Sequence, residues 1–143
     1  MYDSFKIKMK YLALDVGDVR IGIAMSDMLG IIATGYETYT RKKNESDFDY
    51  LSDLIKSNNV GTVVVGLPIN MSGDEGNRAE IVRNFANELQ NHIDVPIVFQ
   101  DERLSTVSAE RILLEADVSR IKRKTVIDKI AATIILQSYL DKK

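Results

Sequence analysis

The stretch Tyr11-Leu12-Ala13-Leu14-Asp15-Val16-Gly17-Asp18-Val19-Arg20-Ile21-Gly22-Ile23-Ala24-Met25-Ser26 decides the fold. Residues 11–16 are apolar on both faces of an extended chain except for one carboxylate, Asp15, which predicts a central strand. Gly17-Asp18 is a turn signal, and residues 20–26 alternate as a second strand, so the two form a hairpin. Residues 31–39, rich in Thr, Tyr and Ile, predict a third strand in the same meander.

Downstream the pattern changes. Ser46 and Asp49 stand at capping-box spacing and predict a helix running to about residue 56. A β-branched run at 60–65 predicts a buried strand ending at Gly66-Leu67-Pro68, followed by a polar loop at 70–77. Ala79, Val82, Phe85, Ala86, Leu89 and Ile93 then recur at helical spacing. Residues 95–99 predict a fifth strand, and 106–116 and 126–140 two closing helices. Strands alternating with helices imply parallel pairing in this half. The expected class is α/β, a mixed sheet of a three-strand meander and then alternating strands and helices, with helices on both faces. A single domain is expected over 11–143 after a tail at 1–10, because no repeat or linker composition interrupts it.

Composition narrows the chemistry. The chain has 143 residues, 45% hydrophobic and 28% charged, enough to bury a core without disulfides or structural metal. It contains no Cys and one His, which excludes thiolate zinc sites, cysteine nucleophiles and two-histidine metal sites. His92 reads as structural, a cation near a helix end. Enzymatic chemistry would fall to carboxylates, which favour the hard cations Mg²⁺ or Mn²⁺. With a net charge of −2, nucleic-acid binding would rest on local patches, Arg120-Ile121-Lys122-Arg123-Lys124 or Arg41-Lys42-Lys43. No signal-peptide pattern and no run of 18 apolar residues is present, so no membrane role and a cytoplasmic location are expected.

Three acidic positions stand out. Asp15 closes an apolar strand at its carboxyl end, where open α/β sheets place their sites, and Gly17 permits close backbone approach. Its structural alternative is a turn cap. Asp101 and Glu102 follow another apolar strand, and alternation sends them to opposite faces. Glu102 is favoured as the partner of Asp15, because Asp101 is well placed to hold the following loop through backbone hydrogen bonds; a solvated loop pair is the alternative reading. Asp128 fits a capping box with Thr125, yet it also leads a stripe of Ala131, Ala132 and Ile135 on one helix face. Three converging carboxylates suit two divalent ions about 3.5–4 Å apart. The loop from Gly66 to Gly73 lacks the Gly-Lys-Ser/Thr of a Walker A motif, but Asn70 and its amides suit a phosphate.

Residues 15–27 resemble the opening motif of the YqgF (RuvX) family. Val65-Gly66-Leu67-Pro68-Ile69-Asn70-Met71-Ser72-Gly73, Asp101-Glu102-Arg103-Leu104-Ser105-Thr106 and 124–140 with Asp128-x-x-Ala131-Ala132 are similar to its later motifs, in the same order. The resemblance implies an RNase H-like fold related to Holliday-junction resolvases, with a divalent-metal nuclease site. It also implies trimming of the 5′ end of 16S rRNA precursors in bacterial ribosome biogenesis. Carried over by position, the catalytic and metal-binding residues are Asp15, Glu102 (with Asp101 beside it) and Asp128. Arg20, Asn70 and Arg103 fall in matching motifs as substrate-side groups, joined by Arg123 and Lys124 of the basic cluster. Asp18 stands where many relatives carry a small hydroxyl residue.

The leading expectation is therefore a metal-dependent nuclease acting on structured nucleic acid, pre-16S rRNA or branched DNA, with the ribosomal particle as a candidate partner. A Holliday-junction resolvase and a non-catalytic ribosome-assembly or nucleic-acid-binding factor are the alternatives. An actin-like phosphotransferase is opposed by the single-domain length. A monomer suits RNA processing and a homodimer suits junction resolution.

Overall fold

The structure is a computed structural model that describes residues 9–70, 72–102 and 120–143, without the side chains of 120–126. The strands β1 (Lys10–Val16), β2 (Arg20–Ser26) and β3 (Ala33–Thr40) form the antiparallel meander. Two further strands, β4 (Val60–Leu67) and β5 (Ile97–Asp101), add to β1 in parallel, giving the order β3-β2-β1-β4-β5. β1 is central, as its two apolar faces required.

Alternation sorts the side chains into two layers. Leu12, Leu14, Val16, Ile21, Ile23, Val63, Val65 and Leu67 pack with helices α1 (Glu45–Ser57) and α2 (Asn77–Gln90). Ala13, Ala24 and Val64 pack with Ala132, Ile135 and Leu136 of α3 (Arg120–Lys142) on the opposite face. The sheet therefore carries helices on both faces. Small residues dominate the α3 side, and the helix lies close against the sheet there. A Cβ at Gly22 would stand 1.9 Å from the Asp128 carbonyl oxygen, and one at Gly35 would stand 2.7 Å from Lys129 Cγ.

Element boundaries depart from the sequence expectation in four places. Ile31 and Ile32 belong to the β2–β3 loop and are exposed. Asp27 Oδ1 accepts their backbone N–H groups at 2.8 and 3.3 Å, and Gly30 turns with φ +69°, so the loop claims both residues. The cap of α1 is Asn44, whose side chain accepts the Ser46 N–H at 2.9 Å. Asp47 is instead buried beneath that end, accepting from the Lys42 and Lys43 amides and the Tyr39 hydroxyl. β5 covers 97–101 rather than 95–99. Finally, α3 begins at Arg120, so Asp128 lies in the helix interior and the capping-box reading with Thr125 does not hold. The helix expected at 106–116 lies outside the described residues. Among the described residues no helix is long and apolar enough to cross a membrane.

Candidate active site

The site forms at the carboxyl ends of β1, β4 and β5, against α3. Asp15 lies two residues beyond Ala13 and so shares the face covered by α3. Its neighbour across the β1–β2 ladder is Gly22, whose missing side chain admits the α3 backbone at Asp128. On β5, Val98 packs on the α3 side, so alternation carries Glu102 to that side and Asp101 to the other. The Glu102 amide donates to the Leu67 carbonyl at 3.2 Å, extending the β4–β5 ladder. Gly66 on β4 makes room for the acid. A Cβ there would sit 3.1 Å from Glu102 Oε2 and 2.5 Å from Ile135 Cδ1.

The electrostatics follow from this crowding. Burial pushes the Glu102 carboxyl well above its usual range, the Asp15 charge pushes it further, and nearby Asp101 adds to it. Asp15 is raised as well, first by burial and then by the charge of Asp128. The two carboxyls lie within hydrogen-bond reach of each other, a contact that lowers Asp15 and raises Glu102, so Glu102 keeps its proton to the higher pH. Asp128 Oδ2 accepts from Arg20 Nε at 2.9 Å, which ties the start of β2 to α3. Arg78, in the first turn of α2, donates to the Val16 carbonyl at 3.2 Å and to Asp18 Oδ1 at 2.8 Å. Its charge opposes the rise at both Asp15 and Glu102. All three carboxylates thus offer hard oxygen donors.

The RuvX family model, described as Holliday junction resolvase, matches residues 9–142. The chain belongs to the RuvX family. A relative from Halothermothrix orenii, named "Putative pre-16S rRNA nuclease", is 53% identical over 133 residues, covering 93% of this chain and 95% of the relative. One from Bacillus mycoides with the same name is 50% identical over 137 residues, covering 94% of this chain and 100% of the relative. Among solved structures, fowlpox virus resolvase with Holliday junction DNA aligns at TM-score 0.58 and 10% identity, covering 94% of this chain and 98% of that one. The fold of this RuvX-family chain is the RNase H-like fold of the resolvases.

Of the residues singled out from sequence, Asp15 and Glu102 touch, Asp128 lies close enough to raise Asp15, and Arg20 holds Asp128. Asn70 is exposed in the loop after β4. Its amide donates to the Asp74 carbonyl and its carbonyl accepts from Gly73, both at 2.8 Å, so its backbone shapes the turn. Arg103 lies outside the described residues, as do the side chains of Arg123 and Lys124. Sequence reasoning missed Arg78, since nothing local pairs it with Asp18 or with the Val16 carbonyl sixty or so positions upstream. It also missed the company of His92, whose Nε2 lies 3.1 Å from Glu45 and 3.5 Å from Glu88. These three offer ligand atoms within 4.8 Å of one another, but exposed Glu45 and Glu88 already pair with the imidazole there.

Proposed function

We propose that this RuvX-family protein is a divalent-metal-dependent nuclease that hydrolyses phosphodiester bonds in 5′-end maturation of pre-16S rRNA, in the cytoplasm. The observation that carries the reading is the convergence of Asp15, Glu102 and Asp128 from two strand ends and one helix. Two of them, Asp15 and Glu102, lie within hydrogen-bond reach, and burial and neighbouring acidic charge raise both carboxyls. The pre-16S substrate is supported by the names of the half-identical relatives.

A cation fits this donor set, because positive charge there offsets the repulsion that raises the Asp15 and Glu102 carboxyls. Asp15, Glu102 and Asp128 would hold Mg²⁺ or Mn²⁺, with Asp101 contributing charge from the opposite side of the strand end. When bound, such ions supply the positive charge that activates a water and stabilises the leaving oxygen. The protein's own part is positional. Gly22 and Gly66 let α3 and Glu102 close on Asp15, and Ile135 packs an apolar wall beside Glu102. Arg20 holds the Asp128 carboxylate in place from β2. Arg103, Arg123, Lys124 and Asn70 are the substrate-side groups of this reading.

Resolution of Holliday junctions is the second reading, favoured by the description of the matching family. The deciding experiment is cleavage of a labelled RNA bearing the 16S 5′ leader and of a four-way DNA junction, each with Mg²⁺ and with Mn²⁺. Cleavage of the RNA, lost in Asp15→Asn, is the expected result. Cleavage of the junction alone replaces it with the resolvase reading and calls for a homodimer. Binding without cleavage of either, even when the RNA is presented in a ribosomal particle, leaves a non-catalytic assembly factor.

A further inference from the structure

An acidic centre has to attract a polyanion, and the arginines around the β1–β2 turn differ in their freedom to help. Arg20 is committed through Nε to Asp128. Arg41 donates to the Gly17 carbonyl at 2.8 Å, lies 3.5 Å from buried Asp47 and stacks over Phe85, with 17% of its side chain exposed. Arg78 is placed differently. One of its terminal nitrogens rests on the carbonyl of Val16, the residue next to Asp15, and the other meets Asp18. The ion pair lies at the surface, with 46% of the Arg78 side chain and 71% of the Asp18 side chain exposed. Exposed pairs of this kind contribute little and exchange readily. A guanidinium carries five donors in a planar fork matched to phosphate.

We propose that Arg78 is the residue that receives a backbone phosphate at the mouth of the site, and that Asp18 is its positioning residue, holding the guanidinium until the phosphate displaces it. The proposal rests on the nuclease reading and adds a binding residue and a competitor to it. The Val16 carbonyl keeps the fork one residue from Asp15, so a phosphate exchanged for Asp18 enters beside the carboxylates. The substrate phosphate and Asp18 compete for one donor group, which makes Asp18 a brake on binding that acts through Arg78.

The test is a double-mutant cycle on affinity for the labelled 16S-leader RNA, measured by fluorescence anisotropy with chelator present so that no cleavage intrudes. Arg78→Ala is expected to weaken binding about tenfold, with the slope of log affinity against log salt falling by about one. Arg78→Lys keeps the charge but loses the fork, and falls between. Asp18→Asn is expected to tighten binding in the wild-type background and to change nothing in the Arg78→Ala background. In cleavage assays these effects appear in KM more than in kcat. Arg78→Ala binding within twofold of wild type overturns the proposal. So does tightening by Asp18→Asn that is equal in both backgrounds, since Asp18 would then be only a general repelling charge. A wild-type protein that binds RNA but never cuts it removes the nuclease reading, while the cycle still decides the assignment of Arg78.

Discussion

Two carboxyls held against each other in a half-buried site cannot both ionise cheaply, and at Asp15 and Glu102 this cost has a measurable pH signature. Both groups have folded-state values raised above their unfolded ones, Glu102 to about 8. A raised carboxyl favours the folded state most below its unfolded value, near 4, and that advantage disappears as pH climbs through the folded value. In metal-free protein, thermal stability should therefore decline from about pH 4 to about pH 8. Asp15→Asn should raise Tm at pH 8, by about 2–4 °C for each kcal/mol relieved, and make no difference near pH 4. A mutant with unchanged Tm at both pH values would sink this account of the pair. That one of Asp101 and Glu102 faces Asp15 was legible because a strand alternates faces whatever its surroundings, but that it is Glu102 follows from Val98 packing on the α3 side. Arg78 was not legible, because its meaning comes from a carbonyl and a carboxylate supplied by another element.

At the scale of elements, α3 lies on β2 only because position 22 has no side chain. Gly22→Ala would place a methyl 1.9 Å from the Asp128 carbonyl oxygen, a collision with backbone that no rotamer relieves. It should cost about 3 kcal/mol in urea unfolding and displace Asp128 enough to abolish cleavage. The entry to α1 makes a second prediction. Burial opposes ionisation of Asp47, but the Lys42 amide, the Tyr39 hydroxyl, the Lys43 amide and the Arg41 charge outweigh it, so its carboxyl is held below the usual range. Stability from Asp47 is therefore present above its unfolded value and lost as pH falls through the lower, folded value. Asp47→Ala should cost about 3 kcal/mol at neutral pH, because it leaves two amides and the Tyr39 hydroxyl without their acceptor and Arg41 without its opposite charge, and the deficit should shrink in acid. The same region shows why helix starts were harder to read than strands. Ser46 with Asp49, and Thr125 with Asp128, both satisfy the capping-box spacing. Asn44 caps the first helix, and the second begins further upstream. Three-residue spacings recur by chance, whereas a run of β-branched residues such as 60–65 has few other uses.

For the whole molecule, metal and fold should be coupled, since Asp15, Glu102 and Asp128 come together only in the folded state. Mg²⁺ or Mn²⁺ at 100 times its Kd should stabilise the wild type by about 2.7 kcal/mol, reversibly with chelator, and leave Asp15→Asn almost unmoved. A wild-type Tm indifferent to both ions would remove the metal from the site. The order of the acids along the chain adds a matter of timing. Asp15 is on the first strand, Glu102 follows the fifth, and Asp128 is on the last of the described helices. Synthesis proceeds at about 5–20 residues per second, so on the order of ten seconds separate the making of the first acid from that of the third. During that interval the nascent chain holds Asp15 without the two partners that the proposed centre needs. Docking of α3 on Gly22 brings the third acid to the proposed centre, so on the nuclease reading no activity precedes it.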